Sequence, residues 1–285
     1  MINNKFSGLN FLIVDLPNGD IMELYKELCS CDNFFLIAGP CVVEDEKLMM
    51  QIAAELVEMT RKREIQFVFK SSFRKANRTS IESPTGPGIK RGLEILSKIK
   101  KEFNVPILTD IHDISEVEEA AKVADILQIP AFLSRQSDLI FAAAKTKKIV
   151  NIKKGQFMAP EDMKNAAEKI LAARNENILL TERGTSFGYH NLVVDFRSFA
   201  IMKQLDYPVI YDVTHSLQRP SQNKTSGGTP QYVFMMAKAA LATGMLDGLF
   251  IETHPNPAEA LSDASSMLPL NELSELLDAC LKIKG

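Results

Sequence analysis

A thiol, an imidazole and two carboxylates sit at or just after the ends of short apolar runs in this chain. Cys41 follows "FFLIAGP", His215 closes "PVIYDVTH", Glu252 lies in "GLFIETHP", and Asp263 stands in the segment after it. A mixed sulfur, nitrogen and oxygen set of this kind suits a divalent transition metal. Each residue also has an ordinary structural use. A free cysteine commonly packs in a core, a histidine at a strand end can simply be hydrogen-bonded, and Asp263 could cap a helix begun at "SDASS". Two other chemistries draw on the same region. Cys41 and His215 could make a nucleophile–base pair, and Lys70 or Lys153 could form a Schiff base with a carbonyl substrate. Spacing alone leaves these open.

A second set is basic. Lys70, Lys75, Arg78, Lys153 and Arg183 fall at corresponding places in the chain, with Arg135 near. Arginine forks onto phosphate or carboxylate and lysine supplies a point charge. The set therefore reads as the receptor for an anionic ligand. Asn77, Asp110, Gln128 and Phe132 stand beside it in the sequence pattern.

These residues need a frame that brings them together. After about residue 33, β-branched or apolar runs alternate with longer amphipathic ones. The strand candidates are "FFLIAGP", "QFVFKSS", "PILTDIH", "DILQIP", "IVNIKKG", "NILLTERG", "PVIYDVTH" and "GLFIETHP". Helical periodicity follows them, clear from Glu46 to Arg63 and from Gly88 to Phe103, weaker from Val194 to Leu205. Eight such alternations predict an α/β fold, a (β/α)8 TIM barrel, with a doubly wound sheet as the alternative. No glycine fingerprint opens the first helix, which favours the barrel. The chemistry of such barrels collects at the C-terminal ends of the strands, where both residue sets fall. Residues 1–285 read as one domain, with 1–33 a short extension that could form a hairpin or a plug at the barrel bottom.

The chain has 285 residues, 46% hydrophobic and 24% charged, with a net charge of -3. That is ordinary globular composition, and the charge gives no sign of nucleic-acid binding. No apolar run reaches the roughly 18 residues of a membrane span. The start, "MINNKFSGLN", lacks the pattern of a secretory signal. Cys29, Cys31, Cys41 and Cys280 are too few and too irregular for a disulfide framework. A cytoplasmic enzyme is the expectation.

The ordered motifs "AGPC", "FKSSF", "KANRTS", "TDIH", "QIPAFLSRQ", "KKGQF", "TERG", "DVTHS" and "IETHPNP…ALSDASS" carry a resemblance. From about residue 34 onward the chain resembles the 3-deoxy-D-manno-octulosonate 8-phosphate synthases. "KANR" separates it from the related 3-deoxy-D-arabino-heptulosonate 7-phosphate synthases, which use erythrose 4-phosphate. The resemblance implies condensation of phosphoenolpyruvate with arabinose 5-phosphate. One kind in that family has Asn at the position of Cys41 and needs no metal; the other has Cys and requires one. Cys41 and "ALSDASS" resemble the second kind. This implies one divalent ion (Zn²⁺, Fe²⁺, Mn²⁺ or Co²⁺) on Cys41, His215, Glu252 and Asp263.

By the same resemblance, phosphoenolpyruvate meets Lys70, Lys75, Gln128, Lys153 and Arg183, and arabinose 5-phosphate meets Asn77, Arg78 and Asp110. Lys75, Asn77, Asp110 and His215 are expected to act in catalysis. Phe132 and Arg135 are expected to reach a neighbouring subunit's site in a homo-oligomer, a tetramer. Two departures stand near the sugar phosphate. Arg74 replaces the family's frequent Asp, and Pro84–Thr85 replaces an aromatic and an Arg.

Overall fold

The computed structural model describes residues 21–78, 80–220 and 227–284. Eight parallel strands form its centre: β1 (Phe35–Gly39), β2 (Phe67–Lys70), β3 (Ile107–Asp110), β4 (Ile126–Ile129), β5 (Ile149–Lys153), β6 (Ile178–Glu182), β7 (Val209–Asp212) and β8 (Gly248–His254). Each pairs with the next in sequence. Pairing of β1 with β8, from Phe35 opposite Gly248 to Gly39 opposite Glu252, closes the ring. This is the predicted (β/α)8 barrel, and its closure excludes the doubly wound alternative. All eight strand candidates are present, shortened by up to four residues.

Strand alternation decides which side chains face inward. Phe35, Ile37, Val68, Leu108, Ile126, Ile149, Leu179, Ile210 and Phe250 form one apolar cluster inside the ring. A larger cluster lies between the ring and its helices. Two residues beyond the inward apolar positions, toward the strands' C-terminal ends, come Lys70, Asp110, Gln128, Asn151, Asp212 and Glu252. The period that buries the barrel centre thus also turns these polar groups inward near its upper end, where Lys70 and Asp110 reach the mouth. Asn151 joins them in a belt, donating to Gln128 (2.8 Å) and accepting from Thr181 (2.7 Å).

The outer helices include α2 (Glu46–Arg61), α3 (Ile89–Phe103) and α4 (Ile114–Ala121). Asp45 caps α2 and Asp113 caps α4 through their carboxylates, satisfying backbone donors left free in a first helical turn. The weak periodicity at 194–205 corresponds to a helix of only seven residues, Arg197–Lys203.

The described part of the N-terminal extension is a helix, α1 (Ile21–Cys29). Its Leu24 and Leu28 join the interior cluster from below, and Tyr25 donates to the Ile178 carbonyl (3.1 Å). This helix sits at the barrel bottom, where a hairpin or plug was expected; residues 1–20 lie outside the described residues. No described helix is long and apolar enough to cross a membrane.

Candidate active site

The strand ends open into a cavity of about 310 Å³. Lys70, Lys75, Asn77, Arg78, Asp110, Phe132, Lys153, Arg183, His215 and Asp263 line it, from the predicted set. Cys41 and Glu252 lie deeper, both buried, beside Asp263. Gln128 is buried beneath Asp110, to which its amide donates, and does not border the cavity. Arg135 is exposed and outside it, while Phe132, half-exposed, sits on its edge.

Gly39 explains how Cys41 gets there. A Cβ at residue 39 would lie 2.1 Å from the Lys70 carbonyl oxygen, and its φ is +154°. Only glycine lets β1 pass so close to β2, and the chain then turns through Pro40 to bury Cys41. Asp263 reaches the same place by a different route. No helix begins at "SDASS", so the capping alternative fails. Asp263 instead adopts φ +51°, a left-handed turn conformation that Asp tolerates.

Cys41, Glu252 and Asp263 each offer one ligand atom within 4.8 Å of the others. His215 falls outside that group of three, but its Nε2 lies 3.4 Å from Glu252 Oε2 and 3.7 Å from Asp263 Oδ2. His215 does not sit on a strand; it lies on a single helical turn, Val213–Ser216, capped by Asp212. Asp212 accepts from the His215 backbone (2.9 Å) and lies 2.8 Å from ring Nδ1. That fixes the ring with Nε2 toward the carboxylates.

The donor set fits a cation. Burial raises the Cys41 thiol pKa well above its usual value, and the neighbouring Asp263 and Glu252 push it further the same way. The thiol donates to Asp263 Oδ2 at 2.9 Å. Burial opposes the charged imidazolium of His215, but Asp212 and Glu252 outweigh it and raise its pKa. Protons thus neutralise a site where a divalent ion would replace them.

The same geometry argues against a nucleophilic Cys–His pair. The Cys41 thiol bonds to Asp263 and Ser262 rather than to an imidazole, and its described hydrogen bonds include none to His215.

The basic residues are more paired than their sequence suggests. Lys70, with 1% exposure, bonds Glu252 and the Cys41 carbonyl. Lys75 lies 3.5 Å from Asp110, and Lys153 lies 2.5 Å from Asp212. Burial works against the Lys75 ammonium, yet the negative groups around it hold its pKa well above normal. For Lys153 burial wins and the pKa falls. The arginines hold the free donors. Arg78 Nε and Nη2 and Arg183 Nη1 are buried with no partner among the described residues, whereas Arg183 Nη2 is held by Gln218 (3.0 Å). Unpartnered buried guanidinium donors are costly, and an anion entering the cavity would satisfy them.

The DAHP synthetase I family matches residues 28–284 of the chain. The protein belongs to the DAHP synthetase I family. Within it, the chain is 53% identical over 251 residues to the 2-dehydro-3-deoxyphosphooctonate aldolase of Fusobacterium nucleatum subsp. nucleatum, covering 88% of this chain and 90% of that one. It is 54% identical over 243 residues to the protein of the same name from Trichlorobacter lovleyi, covering 85% and 89%. It is likewise 54% identical over 245 residues to that of Rickettsia typhi, covering 86% and 89%.

Three further contributors shape this family member's site: Asp212 orients His215, Ser262 contacts both Cys41 and Arg78, and Gln218 holds Arg183. Asp212 is visible in the sequence as a strand-end polar residue beside His215, though its role is not. Ser262 and Gln218 lie in loops whose direction only tertiary structure sets.

Proposed function

We propose that the protein condenses phosphoenolpyruvate with D-arabinose 5-phosphate and water, giving 3-deoxy-D-manno-octulosonate 8-phosphate and inorganic phosphate. The observation that carries this reading is the charged mouth of the barrel, with Arg78 and Arg183 donors that have no partner among the described residues beside the Cys41, Glu252 and Asp263 cluster. Two anionic substrates repel each other, and such a mouth offsets the repulsion. The relatives' shared name supports the eight-carbon product over the heptulosonate.

Arg183, Lys153, Lys75 and Lys70 would hold the carboxylate and phosphate of phosphoenolpyruvate. Arg78 and Asn77 would hold the sugar phosphate. Asp110 accepts from Ser72 and Gln128 and faces Lys75, so it is oriented to bind the sugar's hydroxyls. C3 of the enol ether attacks the aldehyde carbon, water adds at C2, and the hemiketal phosphate collapses by C–O cleavage. Holding both substrates in attack geometry can remove up to roughly 7–11 kcal/mol of barrier. A divalent ion on Cys41, His215, Glu252 and Asp263 would polarise the aldehyde or orient the water. This metal-dependent reading rests on the presence of Cys41 and on the geometry of its partners.

We further propose a homo-oligomer, a tetramer, in which Phe132 and Arg135 help complete a neighbour's site. Their exposure on the loop after β4 supports it. Ring closure supports a single domain. A Schiff-base aldolase remains a weaker reading, since Lys70 and Lys153 are both engaged with carboxylates.

Phosphate release on mixing the two substrates tests the function. The expected result is release with arabinose 5-phosphate and little with erythrose 4-phosphate. The reverse preference would assign the heptulosonate reaction, and borohydride trapping of substrate on Lys70 or Lys153 would assign the aldolase.

A further inference from the structure

Ser262 is buried at 4% exposure in the loop after β8, next to Asp263. Its hydroxyl oxygen receives two bonds. One comes from the Cys41 thiol at 3.0 Å, and the other comes from Arg78 Nη1 at 2.6 Å. These partners come from opposite parts of the machinery. Cys41 belongs to the buried cluster beyond β1, and Arg78 belongs to the loop after β2.

We infer that Ser262 is a positioning residue that ties the sugar-phosphate anchor Arg78 to the metal-binding thiolate of Cys41. The chemistry of a hydroxyl suits this place. It accepts and donates at once. With Cys41 as a thiol, its single S–H is shared between Asp263 Oδ2 at 2.9 Å and the Ser262 oxygen at 3.0 Å. With Cys41 as a thiolate on a cation, the Ser262 hydroxyl turns and donates to sulfur while still accepting from Arg78.

The Arg78 side of the bridge has its own logic. Only Nη1 is engaged, while Nε and Nη2 are buried and unpartnered. Ser262 therefore holds one corner of the guanidinium fork and leaves two donors presented to an incoming phosphate. Arg78 is fixed before the sugar arrives, which lowers the ordering cost of binding. On the Cys41 side, a hydrogen bond to a ligating atom is the kind of outer contact whose loss weakens metal binding by about 10–100-fold.

The inference rests on the metal-dependent reading above, and the test separates the two. Metal-free full-length protein is titrated with Co²⁺, following the near-ultraviolet thiolate-to-cobalt absorption, for the native chain, Ser262→Ala and Ser262→Thr. Steady-state phosphate release gives KM for each substrate. In Ser262→Ala the account expects cobalt affinity to fall at least about tenfold and KM for arabinose 5-phosphate to rise, with KM for phosphoenolpyruvate unchanged. Ser262→Thr, which restores the hydroxyl, returns both quantities toward native values. Cobalt affinity and sugar-phosphate KM within twofold of native in a folded Ser262→Ala overturn the inference while leaving the metal reading standing. Native protein that shows no thiolate-to-cobalt band overturns the metal reading and this inference with it.

Discussion

Asp212 holds His215 twice, by its backbone amide at 2.9 Å and by its ring Nδ1 at 2.8 Å. One carboxylate both caps the helical turn that carries the histidine and sets the ring's direction. Asp212 is buried, and burial alone would raise its pKa. His215 and Lys153 outweigh that and keep it well below the usual carboxylate range. Removing the charge should free the ring and strand Lys153. Asp212→Asn is therefore expected to weaken Zn²⁺ or Co²⁺ binding about 10–100-fold, read by metal titration. Native-like affinity would show that the ring is oriented by something else.

In the proposed reaction Arg78 and Arg183 would divide the substrates between them. Arg78→Ala should raise KM for arabinose 5-phosphate, and Arg183→Ala should raise KM for phosphoenolpyruvate. Each rise is expected at about 10–150-fold, from the ~1.5–3 kcal/mol carried by hydrogen bonds to charged groups. Steady-state kinetics with each substrate varied in turn would expose a swapped or shared pattern, which contradicts the assignment.

Glu116 on α4 links two loops of the mouth. It accepts from the His112 backbone (2.8 Å) and pairs with Arg74, the residue that departs from the family pattern. Burial would raise its pKa, but hydrogen bonds from His112 and Arg74 outweigh burial and bring it down from 4.5 to about 2. A carboxylate with a depressed folded pKa contributes stability above its unfolded value. That contribution fades as pH falls from about 4.5 toward 2. With Arg74 partly exposed, the contribution is about 1–2 kcal/mol. Glu116→Gln should lower stability by that amount at pH 7 and by progressively less toward pH 2, measured by denaturant unfolding across the range. A constant difference at all pH values would contradict it.

Gly39 is the tightest point of the frame. Gly39→Ala would place a methyl 2.1 Å from the Lys70 carbonyl. Expected are a loss of about 1–3 kcal/mol and a fall in activity as Lys70 and Cys41 shift together. Unchanged thermal unfolding and turnover would show that β1 and β2 can separate at no cost.

The barrel was legible because one rule served two purposes. Alternation in "FVFK" or "ILTD" marks a strand and also places Lys70 or Asp110 on its inward face. Closure of the ring then brought together Cys41 and Glu252, which are 211 positions apart. Other features were not legible. Sequence shows five basic groups but not that Lys70, Lys75 and Lys153 already face carboxylates across the barrel. Gln128 reads as a strand-end ligand, yet the neighbouring strand's Asp110 covers it. Ser262 reads as one serine among several in "ALSDASS", and only the path of the loop places it between a thiol and a guanidinium. Pairings across strands and loop directions are tertiary facts, and local pattern does not encode them.

In the proposed reaction, Cys41, His215, Glu252 and Asp263 would hold an ion that the condensation requires. The most direct measurement is phosphate release from phosphoenolpyruvate and arabinose 5-phosphate by protein treated with a chelator, then supplied with Zn²⁺, Mn²⁺, Fe²⁺ or Co²⁺. The account predicts that activity disappears on chelation and returns with at least one of these ions, in the native chain but not in Cys41→Ala. Full activity in metal-free native protein would contradict it.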